Sequence, residues 1–319
     1  MKKADGIFTN LITAFVLHKQ SLGYKYKSEA AELYRFSKFS EKFALTVPAL
    51  TRELVQAWNS RQLNEGLRNQ YRRVSMVRQF ALHLHALGYE AYLAPHDRNI
   101  RTNPFVPYVF TDNEIQRIFA GCDRIRPHRR SNMHLVLPVI LRLLYSSGLR
   151  ISEAVGLQLK HINLQTGIID IKNSKGAKDR MIPISDSLLD VFRRYFKIIH
   201  SKSSREDYFF MGIYRTAVAT DTVYKRFREV LWECGISHGG KGHGPRIHDF
   251  RHTFAVHSLR QALTKKVDLY CALPVLSTYL GHTSIESTSH YVRLTAEVFP
   301  EIQIALDQHC AYVIPGVTL

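Results

Sequence analysis

The stretch YLGHTSIESTSHYVRL, residues 279–294, carries most of what the chain discloses. Thr283-Ser-Ile-Glu286 has the form of a capping box, in which a Thr hydroxyl and a Glu carboxylate satisfy each other's free backbone amides. A helix is therefore predicted to start there and to carry Tyr291 about two turns later. His282 would sit at the mouth of that helix, where free N–H groups and the positive dipole end favour phosphate. Forty residues before Tyr291 lies Arg251, in RIHDFRHTFAVH (246–257). His248 and Arg251 form an HxxR element, and on a helix the two side chains point the same way. Further upstream, LLYSSGLRISEAVGL (143–157) places Arg150 and Glu153 three residues apart on one helical face. Between these blocks runs IIDIKNSKGAKDRMIPIS (168–185), two strand-like segments joined by a lysine-rich tip. The order along the chain is Arg150, His248, Arg251, His282, Tyr291.

The 319 residues carry 44 Lys+Arg against 27 Asp+Glu, a formal charge of +17. Such an excess points to a polyanionic partner, most often nucleic acid. A solubilising surface, or a ribosomal or membrane-surface protein, is the blander explanation. The charge is not confined to a tail: residues 1–100 hold +7 and the remainder +10. Cys122, Cys234, Cys271 and Cys310 are far apart and form no CxxC pair. Disulfide scaffolding and a thiolate zinc site are not expected. The basic start MKKADGIFTNLITAFVLHKQ has no long apolar core or small-residue cleavage site. No stretch reaches the length of a membrane span. The expectation is a soluble protein of a reducing cytoplasm, with no membrane partner.

The first hundred residues read as helices. Phe8, Leu11, Ile12, Phe15 and Val16 recur at helical spacing before Gly23 breaks the pattern. SEAAELYRFSKFSEKFA and LTRELVQAWNSRQL follow. A fourth helix, NQYRRVSMVRQFALHLHALGYE, has Val74, Val77, Phe80, Ala81 and Leu84 as its apolar positions and ends at Gly88. Arg72, Arg73 and Arg78 are assigned to its opposite face, as phosphate contacts or as an ordinary solvated surface. Residues 94–108 hold three prolines and little periodicity, and read as a linker. Thr111 and Glu114 then form a capping box that opens a second domain. From 111 to 160 the pattern is helical, 161–185 has strand chemistry, and the rest is helical again apart from HGGKGHGP (238–245). The domains expected are 1–100 and 108–319, and the sequence shows no internal repeat.

These blocks together resemble the active site of the tyrosine recombinases, the phage integrase family. The match is specific over about 145–185 and 245–293 and generic over 1–100. The resemblance implies a mainly α fold with a small antiparallel β-sheet: a helical N-terminal core-binding domain that grips DNA, followed by a catalytic domain with a C-terminal helix. It also implies a reaction, the transfer of a phosphodiester from DNA to a tyrosine hydroxyl and back, through a 3′-phosphotyrosyl intermediate. One ester is exchanged for another, so neither ATP nor a metal or other cofactor is expected.

Each demand of that chemistry can be matched to a residue by the resemblance. Arg150 and Arg251 would neutralise the nonbridging oxygens, since a guanidinium fork fits two oxygens at once. Glu153 would orient Arg150; alone, such a pair reads as a surface ion pair. His248 would donate to the phosphate or help to take the tyrosine proton. His248 and His252 also have zinc-compatible spacing, which Arg251 between them opposes. His282 would hydrogen-bond the phosphate. Tyr291 would be the nucleophile, its warrant being the nine-residue offset from His282. Lys175, in the Lys-Gly-x-Lys tip, matches the lysine that protonates the leaving oxygen. Lys172 and Lys178 are its close competitors, and Lys178 is also assigned to DNA contact.

The function implied is a site-specific recombinase or integrase acting on double-stranded DNA with inverted-repeat-like sites. It would be a monomer in solution and a homotetramer on synapsed DNA. A type IB topoisomerase and a catalytically silent DNA-binding protein are the alternatives. The segment LTAEVFPEIQIALDQHCAYVI has an apolar stripe (Val298, Ile302, Ile304, Ala305, Leu306). By the resemblance, residues 298–319 would dock on a neighbouring subunit; the other reading is that they pack on their own domain. LGYKYKSEAAELYRFSKF resembles recombinases of mobile elements more than other members.

Overall fold

The computed structural model describes residues 6–95, 106–172, 179–239, 244–282, 284 and 286–299. The chain divides into two compact units, residues 1–105 and 106–319.

The first unit is helical: α1 (Thr9–Ser21), α2 (Lys27–Ser40), α3 (Arg52–Asn59) and α4 (Leu67–Ala86). Phe8, Ile12 and Phe15 of the first helical run meet Leu33 and Phe36 of α2, Leu54 and Trp58 of α3, and Val77, Phe80 and Leu84 of α4. Aromatic rings knit this core, with Phe36 and Trp58 edge to face at 5.3 Å and Phe15 and Phe80 at 5.6 Å. Helix α3 is capped by the Thr51 hydroxyl, which accepts from the Leu54 N–H.

Arg73 overturns the expectation of a basic outer face. It is only 4% exposed and lies on the same stripe as Val77, Phe80 and Leu84. Its guanidinium donates to both Glu65 carboxylate oxygens (2.7 and 2.9 Å), to the carbonyls of Trp58 and Ser60, and covers the Trp58 ring. Glu65 is held below the usual carboxylate range, chiefly by those Arg73 hydrogen bonds. A fully partnered cation can occupy a core position, which its charge alone does not reveal. Arg72 is exposed, whereas Arg78 is half-buried and donates to the Ala94 carbonyl at 2.6 Å. Val74 is half-buried rather than a core position.

The second unit opens on the predicted capping box. Thr111 Oγ1 accepts from the Glu114 N–H at 3.2 Å, and Glu114 accepts from the Thr111 N–H at 2.9 Å. Helix α5 (Asp112–Asp123) follows, then α6 (Met133–Ser147), which contains Pro138, and the short α7 (Ile151–Val155). The long helical stretch expected over 111–160 is thus three helices. Gly148, at φ +59°, ends α6 in the left-handed conformation.

A 3-10 turn (Leu159–His161) leads into β1 (Ile162–Asn163), β2 (Ile168–Ile171) and β3 (Arg180–Pro183), an antiparallel sheet in the order β1-β2-β3. Ile169 pairs with Ile182, and Ile171 with Arg180. Alternation sends Ile169, Ile171 and Ile182 inward and leaves Met181 exposed. The tip 173–178 lies outside the described residues.

The chain continues through α8 (Asp186–Ile199), α9 (Thr220–Glu233), α10 (Asp249–Thr264), α11 (Leu269–Leu280) and α12 (Glu286–Val298). Helix α10 packs against α6, α11 and α12 and buries Phe250, Arg251, Ala255, Val256 and Leu259. The capping box expected at 283–286 falls partly outside the described residues. The fold is mainly α with a small antiparallel sheet, as the sequence predicts.

Candidate active site

Arg251 anchors the site. It is 2% exposed, and its fork donates 2.8 Å hydrogen bonds to the carbonyls of Gly148 and Leu280. The ends of α6 and α11 are thereby tied to the first turn of α10. Burial, reinforced by Arg150, lowers its pKa to about 10, so the guanidinium stays charged at neutral pH.

Arg150 precedes α7 and reaches Glu153 Oε1 at 2.8 Å, while Glu153 Oε2 accepts from the Arg150 N–H at 3.0 Å. Glu153 is itself buried and receives both arms of Arg180, at 3.2 and 3.0 Å. Burial pushes the carboxyl up, but the Arg180 hydrogen bonds, the Arg150 N–H and the two positive charges bring it below its usual value. Glu153 therefore stays ionised between two arginines.

Tyr291 is 3% exposed, and its hydroxyl lies 3.1 Å from His252 Nδ1. The His282 ring stacks alongside at 6.1 Å and 15°. His282 Nδ1 is 2.7 Å from the hydroxyl of Thr288, which fixes the ring from α12. Burial raises the Tyr291 pKa, while Arg251, by charge and by hydrogen bonding, and Arg150 pull it down. His248 and His282 are each pushed down to about 4, and His252 to about 3, in all three cases by burial first and then by neighbouring positive charge. All three rings are neutral at pH 7. The His248 and His252 rings stand perpendicular at 4.9 Å.

Five of the residues singled out from the sequence, Arg150, His248, Arg251, His282 and Tyr291, therefore surround one another, with Glu153 behind Arg150. Lys175 and Lys178 fall outside the described residues. Arg72, Arg73 and Arg78 belong to the first unit. Among the described residues, no group of three His, Cys, Asp or Glu side chains is placed to hold a metal ion.

Two participants escaped the sequence reading. Arg180 is nearly buried; besides gripping Glu153 it donates from Nε to the Tyr279 carbonyl at 2.9 Å. Its signal was there: Arg180 and Ile182 share one face of β3, so an arginine sat at an inward position. Gly281, at φ +67°, lies against this guanidinium, where an added Cβ would come within 2.8 Å of Nη1. His252 was weighed only as a zinc partner for His248, although its place beside Arg251 on α10 put it at the same site.

The model of the phage integrase family matches residues 108–297, more than half of the chain and all of the residues just described. The chain belongs to the phage integrase family. Two relatives bracket the family resemblance. A protein of Sinorhizobium fredii named as an integrase/recombinase, y4rB, is 27% identical over 308 residues, covering 94% of this chain and 97% of the relative. Tyrosine recombinase XerA of Pyrococcus horikoshii is 27% identical over 201 residues, covering 63% and 61%. Family members also share the fold in solved structures. The Tn1549 transposon integrase, in complex with transposon right end DNA, matches with a TM-score of 0.63 at 13% identity, over 91% of this chain and 98% of that one. The XerH recombinase bound to palindromic difH substrate matches with a TM-score of 0.61 at 17% identity, over 86% and 78%.

Proposed function

We propose that the chain is a site-specific DNA recombinase that cuts and rejoins duplex DNA through a 3′-phosphotyrosyl intermediate. The observation that carries this reading is the meeting of the Tyr291 hydroxyl with Arg251, Arg150 and neutral imidazoles in one buried site. In this reading Tyr291 attacks phosphorus. Arg150 and Arg251 neutralise the nonbridging oxygens as the pentavalent state forms, and His248 and His282 add hydrogen bonds. Glu153 holds the Arg150 fork in place. Lys175 protonates the leaving sugar oxygen. Two preorganised guanidinium groups supply the positive charge that other phosphoryl-transfer sites draw from a metal, and ester exchange conserves bond energy without ATP.

The first unit and the basic surface of both units would grip the duplex, with Arg72 and Lys178 among the phosphate contacts. The substrate would be double-stranded DNA with inverted-repeat-like sites. Two duplexes each cut on both strands need four tyrosines, so a monomer in solution would become a homotetramer on paired sites. The end-to-end similarity to an integrase/recombinase and the fold shared with a transposon integrase support an element-borne enzyme. Among the described residues no helix is long and apolar enough to cross a membrane, and the site of action would be the cytoplasmic DNA.

A duplex nicked near the cleavage point tests the reading. The released fragment diffuses away and traps the covalent adduct. Wild type should accumulate a protease-sensitive protein–DNA adduct in the presence of a chelator. Tyr291→Phe should bind the same duplex and form none. An adduct in the Phe variant would reassign the nucleophile, and no adduct in wild type would leave a DNA-binding role.

A further inference from the structure

The imidazole hydrogen-bonded to the Tyr291 hydroxyl, which Arg251 also reaches, is that of His252 rather than His248. Its Nδ1 lies 3.1 Å from the phenolic oxygen, and the two rings are 5.6 Å apart. The distance is set by packing of α10 against α12 rather than by a mobile loop. Building on the phosphotyrosyl reading above, we propose that His252 is a further catalytic residue, the imidazole that accepts the Tyr291 proton during attack.

The step balances as follows. The Tyr291 O–H bond breaks and its proton moves to Nδ1, whose ring carries its own proton on Nε2, leaving an imidazolium. The phenolic oxygen pair forms the new bond to phosphorus. The bond from phosphorus to the sugar oxygen breaks, and that oxygen leaves with its electron pair and a proton from Lys175. In the return step Nδ1 gives the proton back to the departing phenolate. Arg251 is the preceding residue on the same helix, so one turn of α10 would both neutralise phosphate and accept the proton.

The charged and titratable groups facing His252 are His248 and Arg251 from α10, His282 from the end of α11, and His290 with Tyr291 from α12. In the free protein burial, and then these neighbours, keep the ring uncharged to about pH 3. A docked phosphodiester adds a negative charge beside Arg150 and Arg251. That charge offsets the repulsion, the second cause of the low pKa after burial, and so favours the imidazolium. Basicity thus rises when DNA docks, while burial by itself keeps the phenol un-ionised in the idle enzyme. The competing role for the same hydrogen bond is a latch that parks Tyr291 away from phosphate, and it predicts the opposite sign.

The test is single-turnover adduct formation on the nicked duplex by wild type, His252→Asn and His252→Phe. Each is prepared with natural tyrosine or the more acidic 3,5-difluorotyrosine at 291. The Asn oxygen keeps an acceptor near the place of Nδ1 but cannot hold the proton. With natural tyrosine, both variants should lose roughly 10²-fold in rate, the lower end for a general base. Their rate should climb with pH toward the phenol pKa, and fluorination should restore most of the loss. Gel shift and thermal unfolding should match wild type. Should both variants fail to fold, ¹⁵N spectra of the wild-type protein decide: the His252 ring should be neutral in the free enzyme and an imidazolium in the trapped adduct. Wild-type or faster cleavage by the variants, a loss indifferent to fluorination and pH, or a neutral ring in the adduct would each overturn the proposal. Absence of any wild-type adduct would instead overturn the phosphotyrosyl reading.

Discussion

Arg251 and Arg150 are both arginines at the same site, yet their surroundings set different consequences for their loss. Arg251→Ala leaves two buried carbonyls without a donor, and a stability cost of about 1–3 kcal/mol for each unsatisfied group is expected. Arg150→Ala removes a side chain that is 22% exposed and leaves the buried Glu153 paired with Arg180 alone, so its stability cost comes through Glu153. Adduct formation should fall roughly 10²–10³-fold or more in either variant, as for loss of a transition-state donor. Duplex binding, shared among many cations, should fall far less. A gel shift beside the adduct assay separates the two effects.

The three site histidines predict a pH response. Their folded pKa values, about 4, 3 and 4, lie below the ordinary 6.5. From pH 6.5 down to about 4 the unfolded chain binds protons that the folded site refuses, so stability falls as pH falls. His282→Gln removes one such group, and its melting temperature should decline less between pH 7 and 5 than that of wild type. The grouping of Tyr291, Arg150 and His248 was legible because motif spacing survives folding. Arg73 was misread because a basic residue on an amphipathic helix reads as outward; only Glu65 and the two carbonyls make it an inward one.

At the scale of elements, Glu153 and Arg180 join α7 to β3, and the Arg180 Nε joins both to the end of α11. The paired strands β2 and β3, which flank Lys175 in sequence, are thereby fastened to Arg150 through Glu153. Arg180→Gln leaves the buried Glu153 half-paired, and a loss of about 3–5 kcal/mol is the usual result of breaking a buried pair from one side. The Glu153→Gln, Arg180→Gln double variant should be more stable than the Arg180→Gln single in urea denaturation. The double variant should cleave slowly, because Arg150 has lost its ionised partner. Capping chemistry was the most readable feature at this scale: Thr111→Ala should cost about 1 kcal/mol without altering cleavage of bound DNA. The splitting of 111–160 into three helices was less readable, because the apolar run of α6 passes through Pro138 and its end depends on the left-handed Gly148.

For the whole molecule, the charge of +17 makes a steep salt dependence the expectation. The logarithm of the binding constant should fall linearly with the logarithm of salt concentration, with a slope of about −0.9 per phosphate neutralised. Neutralising Arg72 should reduce that slope, whereas Arg73→Gln should instead lower stability, because its charge is spent on Glu65. Assembly is the other whole-molecule property. Deleting residues 298–319 should leave single-site binding intact while abolishing synapsis, read by native gels on paired sites. A truncated protein that still recombines, or that unfolds, would assign the segment to its own domain.

The contact between Gly281 and Arg180 also constrains how the sequence can change. Any side chain at 281 collides with the guanidinium and must hold a backbone conformation that only Gly, and to a lesser degree Asn and Asp, adopt readily. Shortening Arg180 first would open the space but unfasten Glu153. The two positions are therefore constrained together, and a change at either one disturbs the grip on Glu153. In a saturation library selected for recombination, changes at 281 and at 180 should both rarely return, alone or together.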